Sequence, residues 1–158
     1  MHNDVTIGIP VYNEAKDIER AIRSAVGQCG KLIIADNAST DGTREICCKL
    51  AGEFDNIVYY RHAENLGAIK NWQFILDSVD TPYMLFLGSH DYLDAGYTAK
   101  LKSSLDTEPD TVLACGNFIQ HTSHSSVALN LHTLVSLAQP VAHKRVLDSL
   151  FSRHPLQW

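Results

Sequence analysis

Four short apolar runs, Val5 to Ile9, Leu32 to Ala35, Ile57 to Tyr60 and Tyr83 to Leu87, alternate with segments whose apolar residues recur at helical spacing. This alternation leaves few folds open. The runs, rich in β-branched and aromatic residues, are too short for typical helices, and the stretches between them have the length of crossover helices. Ile18, Ala21, Ile22, Ala25 and Val26 mark the first helix, and Ile46, Cys47 and Leu50 the inward face of the second. The third, Gly67 to Val79, carries Ile69, Trp72, Phe74, Ile75 and Leu76. Strands and helices repeated in this order imply parallel βαβ units, right-handed by the crossover rule. The chain therefore reads as α/β, with a mostly parallel sheet flanked by helices.

The fourth run shows no polar alternation, so it reads as a central strand covered on both faces. It stops at Gly88 and is followed by Ser89, His90 and Asp91. In open α/β sheets ligands bind beyond the carboxyl ends of the strands, which makes this loop a candidate site. Asn13, Asp41 and Asp94 are placed to cap the helices that follow them. Beyond the loop, Ala95 to Leu105 is expected to be helical, Thr107 to Asp110 a turn, and Thr111 to Cys115 a strand. Gln120 to Ser126 reads as a polar loop, Val127 to Leu137 as a strand or loose amphipathic segment, and Pro140 to Phe151 as a helix.

The length of 158 residues, with 45% apolar and 20% charged residues, suits one globular domain over residues 1–158. A formal net charge of -5 argues against a nucleic-acid partner held by a broad basic face. The four cysteines form no Cys-x-x-Cys pair, and the polar start Met1-His2-Asn3-Asp4 lacks the apolar core of a signal peptide, which points to the cytoplasm. No apolar stretch approaches the ~18–20 residues needed to cross a bilayer, so any membrane contact is expected to be peripheral, at the inner face of the cell membrane. Lys144 and Arg145, with Leu147, Leu150, Phe151 and Trp158, fit an amphipathic helix closing the sheet better than a contact with an anionic membrane surface. A zinc site from Cys115, His121, His124 and His132 matches no compact tetrahedral spacing, and Cys47-Cys48 is most simply helix packing.

Four loops should converge at one end of a parallel sheet: Pro10-Val11-Tyr12-Asn13-Glu14, Asp36 with its Ser/Thr/Asp/Gly turn, His62 to Lys70, and Gly88 to Asp94. Three stretches in order, Val5-Thr6-Ile7-Gly8-Ile9-Pro10-Val11-Tyr12-Asn13-Glu14, Ile33-Ile34-Ala35-Asp36-Asn37-Ala38-Ser39-Thr40-Asp41-Gly42-Thr43 and Asn65-Leu66-Gly67-Ala68-Ile69-Lys70-Asn71, resemble the motifs of family 2 glycosyltransferases of the GT-A fold. The resemblance covers roughly residues 4–120 and is thin after that. It implies a nucleotide-diphospho-sugar donor, with residues 1–120 as the nucleotide-sugar-binding part and 121–158 as the start of an acceptor-side segment. Pro10, Val11 and Tyr12 would flank the base, and Glu14 and Asp36 would take polar contacts to the nucleoside. Asp36 suits an imide N–H of uracil or thymine, and Lys70 would offset phosphate charge.

Departure of a nucleoside diphosphate puts negative charge on the β-phosphate, which a divalent cation can meet as a Lewis acid. The family's Asp-x-Asp-Asp-like cluster is replaced here by Gly88-Ser89-His90-Asp91, so only Asp91 remains as a carboxylate. Asp91 is expected to hold Mn²⁺ or Mg²⁺ already carried by the diphosphate, with His90 adding a nitrogen ligand better suited to Mn²⁺. The resemblance further implies inverting transfer, of the hexosyltransferase type, to a hydroxyl of a glycan or lipid-linked acceptor, as in polysaccharide biosynthesis. Inversion needs a general base. After Asp110 the only acidic residue is Asp148, so the base is unassigned and the chain is expected to stop before the segment that supplies it. The alternative is a non-catalytic or truncated nucleotide-sugar-binding domain serving as an interaction module. The donor's base and sugar, and whether copies of the chain form a homo-oligomer, stay open.

Overall fold

The structure is a computed structural model, and it describes residues 4–107, 111–116, 118–121, 126–129 and 133–136. The chain divides into two compact units with the boundary between Ala99 and Lys100.

In the first unit β1 (Val5–Val11), α1 (Ile18–Ala25), β2 (Lys31–Asp36), α2 (Thr43–Glu53), β3 (Ile57–Arg61), α3 (Ala68–Asp77) and β4 (Tyr83–Phe86) follow in the expected alternation. A 3₁₀ turn, Val26–Gln28, extends α1. The four strands form one parallel sheet in the order β3-β2-β1-β4. Alternate residues of β1 explain its two faces. Val5, Ile7, Ile9 and Val11 point into a core shared with Ile18, Ala21 and Ile22 of α1 and Cys47 and Leu50 of α2. On the opposite face Ile33 and Ala35 of β2 pack with Ile75 of α3. Gly8 lies on that second face, where a Cβ would overlap the Ile75 side chain, so glycine lets α3 approach the sheet. Cys47 is buried, and burial pushes its thiol up to about 12, while Cys48 is exposed.

Some expectations are corrected here. Among the described residues β4 ends at Phe86, is half-buried, and stands at one end of the four-stranded order, not in its middle as expected. Both faces of the run Tyr83 to Leu87 are covered, as expected: Tyr83, Leu85 and Leu87 pack on the core of α1 and α2, and Met84 and Phe86 on that of α3, where Trp72 meets Phe86 at 4.4 Å between ring centroids. Asn13 does not cap α1, whose cap position is Asp17. The helix after the Gly88 loop, α4 (Tyr97–Thr107), begins two residues later than Ala95 and continues through Thr107.

In the second unit, β5 (Thr111–Cys115) pairs antiparallel with β8 (Thr133–Ser136), and β6 (Phe118–His121) with β7 (Ser126–Leu129). Gln120 and His121 thus belong to a strand, not to the polar loop expected there. Two short strands take the place of the ambiguous segment after Val127. His124, His132, the Pro140 to Phe151 helix with Lys144 and Arg145, and Asp148 lie outside the described residues. No helix among the described residues is long and apolar enough to cross a membrane.

Candidate functional site

The strand order creates a switch point. The chain leaves β1 for β2 and β3, then returns to the other side of β1 as β4, and ligand crevices in open α/β sheets form where such connections diverge. Pro10 to Glu14 leaves β1 at this point and Gly88 to Asp91 leaves β4 there. The register pairs Val11 with Asp36, so the end of β2 adjoins them.

The loops after β1 and β2 are laced together. The N–H groups of Asn13, Glu14 and Ala15 donate to Ser39 Oγ at 2.9 Å, Thr43 Oγ1 at 2.9 Å and Asp41 Oδ2 at 3.0 Å. In return Asn13 Oδ1 accepts the Thr40 N–H at 2.8 Å. Consecutive amides are thus met by hydroxyl and carboxylate groups at alternate positions 39, 41 and 43. The backbone turns sharply to allow it: Asn13 sits at φ 55° and Ala38 at φ 64°. Asparagine tolerates the left-handed region, whereas alanine there costs ~1–2 kcal/mol, so the lacing must hold Ala38 in place. Asp41, expected to cap α2, stands one residue before the cap position, Gly42, and its Oδ1 accepts the Thr43 N–H at 3.0 Å. Desolvation by its neighbours raises the pKa of the exposed Asp41, but hydrogen bonds from the Thr43 hydroxyl and the Ala15 and Thr43 amides outweigh it and hold it below the usual carboxylate value. Ser39 and Thr43 were not separable from the turn composition by sequence reasoning; their one signal is the alternation itself.

Asp36 has no solvent exposure. Its Oδ1 accepts the Ser39 N–H at 2.8 Å and its Oδ2 the Tyr59 hydroxyl at 2.8 Å, with Arg61 Nε 3.7 Å away. Burial, then the hydrogen bond to Asp36, raises the Tyr59 pKa, so the phenol stays a donor at any working pH. Arg61 is one-third exposed, donates to Ser39 O at 3.1 Å, and keeps a buried Nε without a hydrogen bond. Each Asp36 oxygen retains a lone-pair direction beyond the donor it already binds. Arg61 is the charged side chain beside it.

The third loop is tied to the second by Asn37, whose Oδ1 accepts the Leu66 N–H at 2.8 Å while its Nδ2 donates to Asn65 Oδ1 at 2.8 Å. Gly67 caps α3 at φ 81°, a conformation that suits glycine. His62 is buried edge-on against the stacked Tyr60 and Phe74 rings and pairs with Asn71 Oδ1 at 3.0 Å; Asn71 Nδ2 donates to Ala35 O at 2.8 Å, so the histidine Nε2 must carry the proton. Lys70 stands exposed on the first turn of α3, at the same end of the sheet, with no hydrogen bond or ion pair to the other candidates among the described residues.

At the fourth strand end Ser89 is buried while His90 and Asp91 are exposed. His90 Nδ1 lies 3.7 Å from Glu14 Oε1, the one direct meeting of two candidate side chains across the switch point. A Cβ on Gly88 would fall 2.5 Å from Asp91 Oδ2, so glycine makes room for that carboxylate. Among the described residues no three His, Cys, Asp or Glu side chains gather to cage a metal ion. The donors at hand, one free carboxylate and one imidazole, suit a cation whose remaining ligands arrive with a diphosphate, not one held by protein alone. Tyr12 is about half exposed beside this loop set, and Pro10 is half-buried.

Residues 6–147 match the family model described as Glycosyl transferase family 2. The chain is 30% identical over 115 residues to Abequosyltransferase RfbV of Salmonella typhimurium, covering 69% of this chain and 34% of that protein. It is 27% identical over 117 residues to Glycosyltransferase GlyA of Streptococcus pneumoniae, covering 72% of this chain and 16% of that protein. The chain therefore spans about a third or less of the length of these relatives. Among solved structures it resembles S. aureus TarS 1-349 in complex with UDP-GlcNAc, with a TM-score of 0.63 and 21% identity over 72% of this chain and 34% of that one. It also resembles the mannosyltransferase PcManGT from Pyrobaculum calidifontis in complex with GDP-Man and Mn²⁺, with a TM-score of 0.64 and 21% identity over 71% of this chain and 35% of that one. The parallel sheet with flanking helices is the GT-A fold these enzymes share.

Proposed function

The chain belongs to glycosyl transferase family 2, and on that premise we propose that it holds a nucleotide-diphospho-sugar over the carboxyl ends of β1, β2 and β4. The observation that carries this reading is the lacing of the Asn13, Glu14 and Ala15 amides by Ser39, Thr43 and Asp41. Three loop amides are fixed before any ligand arrives, beside a switch point, and a preset loop lowers the ordering cost of binding.

The backbone of Pro10 and Val11 and the ring of Tyr12 flank the base in this reading, and Asp36 accepts from it once Arg61 swings aside. Glu14 contacts the nucleoside, and Lys70 meets phosphate charge from the N-terminal turn of α3, an end already favourable to anions. Asp91 and His90 would hold Mn²⁺ or Mg²⁺, which supplies Lewis-acid stabilisation of the departing diphosphate when bound. The chain's own residues orient the donor and keep the base in a partly dry pocket. The reaction class is sugar transfer, inverting and of the hexosyltransferase type, to a hydroxyl of a glycan or lipid-linked acceptor. We place it in the cytoplasm with peripheral contact at the membrane, treat residues 1–158 as one GT-A-like domain, and leave the general base unassigned.

A thermal-shift panel of nucleoside diphosphates and their sugars, with and without Mn²⁺, tests donor binding, since a ligand at 100 times its Kd stabilises by about 2.7 kcal/mol. A radiolabelled-donor assay with simple glycan acceptors then separates transfer from binding.

A further inference from the structure

Helix α1 carries a polar stripe that faces the loop after β4. Arg20, Ser24 and Gln28 recur every four residues, the last in the 3₁₀ turn that extends the helix, so their side chains leave along one side. All three end on that loop. Arg20 Nη2 donates to His90 O at 3.1 Å, and the guanidinium lies over the Tyr92 ring at 4.8 Å. Ser24 Oγ accepts the Leu93 N–H at 3.0 Å while donating to Ala21 O at 2.8 Å. Buried Gln28 donates through Nε2 to Asp94 O at 3.0 Å and accepts the Thr98 N–H through Oε1 at 3.4 Å.

The stretch between β4 and α4 has no regular structure, and the backbone bonds it makes to itself are Asp91 N–H to Gly88 O at 3.0 Å and Tyr97 N–H to Asp94 O at 3.2 Å. The Leu87 N–H at its start donates to Gly8 O of β1 at 2.9 Å, and the stripe adds fixings over residues 90–94. Its hydrogen bonds reach main-chain groups of His90, Leu93, Asp94 and Thr98, so they hold the path of the loop without occupying the His90 ring or the Asp91 carboxylate. Asp91 lies between the Arg20 and Ser24 fixings. A carboxylate that alone must meet a cation needs a defined position, because supports of this kind typically change metal affinity 10–100-fold.

We propose that Arg20, Ser24 and Gln28 are positioning residues that preset Asp91 and His90 for a cation-bound diphosphate, an inference that rests on the donor-binding reading above. Two measurements test it, on Arg20→Ala, Ser24→Ala and the conservative Arg20→Lys. The first is amide hydrogen exchange by NMR without ligand. Residues 88–94 should exchange faster in both alanine variants, with Leu93 most affected by Ser24→Ala, while the sheet stays protected. The second is titration with UDP and GDP in Mn²⁺ and in EDTA. The alanine variants should lose about tenfold of the Mn²⁺-supported affinity and keep the affinity measured in EDTA, with Arg20→Lys recovering part of the loss. Unchanged exchange over residues 88–94 overturns the proposal, as does wild-type Mn²⁺-supported affinity in a variant whose loop exchanges fast. A wild-type protein that binds neither nucleotide refutes the donor-binding reading itself, and the ligand-free exchange data still decide whether the stripe holds the loop.

Discussion

Replacing Asp36 by alanine should damage stability and nucleotide binding by separable amounts. The carboxylate is unexposed and accepts the Ser39 N–H and the Tyr59 hydroxyl, each at 2.8 Å. Hydrogen bonds to a charged acceptor are worth ~1.5–3 kcal/mol each, and losing two is partly offset because a buried charge no longer needs desolvation. A net loss of about 3 kcal/mol follows, which for a chain of this size lowers Tm by roughly 6–12 °C. Direct recognition of the base adds a second effect, ~1–3 kcal/mol of binding energy, or about a 5- to 150-fold weaker Kd. Tyr59→Phe is the control: it removes one of the two hydrogen bonds, costs about 1.5 kcal/mol of stability, and leaves the carboxylate in place for the ligand. Urea denaturation and calorimetry on both variants, well below Tm, read the two effects apart. Unchanged affinity in folded Asp36→Ala would remove Asp36 from the nucleoside site, and an unchanged denaturation midpoint would refute the argument that Asp36 anchors the 37–41 turn.

Gly88→Ala places a methyl group against Asp91 Oδ2, so Mn²⁺-supported nucleotide affinity should fall about tenfold or more with little change in Tm; calorimetry in Mn²⁺ and EDTA checks it. Gly8→Ala overlaps Ile75 and should cost ~1–3 kcal/mol, the range for overpacking a core, seen as a lower urea midpoint; an unchanged or raised midpoint counts against the close approach of α3. Because the Asp41 pKa is depressed in the fold, by hydrogen bonds that outweigh desolvation, its contribution is present above the unfolded carboxylate value and is lost as pH falls through the folded one. Urea midpoints measured from pH 6 to pH 3 should therefore fall less steeply in Asp41→Asn than in the wild type, and parallel slopes would contradict the lacing.

The βαβ order and the faces of α1 and α2 were legible because period and length separate a five-residue strand from a ten-residue helix; on α3 the expected face holds at Ile75, while Ile69 and Leu76 are exposed. The position of β4 was not. An apolar run reads the same in the middle of a sheet and at the end of a strand order where helices cover both its faces, and strand order depends on contacts far apart in sequence. The same limit applies to Asn13 and Asp41. Local rules make both helix caps, yet each bonds across to the neighbouring loop 26 or 27 residues away. The membership in glycosyl transferase family 2 was legible from three motifs taken jointly. What each motif residue does physically, Ser39 and Thr43 above all, becomes visible only once the strands are side by side.

The central claim is that a nucleoside diphosphate binds over the ends of β1, β2 and β4. NMR shift mapping of the labelled chain with UDP and with GDP, in the presence of Mn²⁺, tests it most directly. The account predicts saturable shifts clustered at the amides of residues 10–15, 36–43 and 88–94 for at least one of the two nucleotides. Saturable shifts confined to other surfaces, or none with either nucleotide in a folded protein, would contradict it.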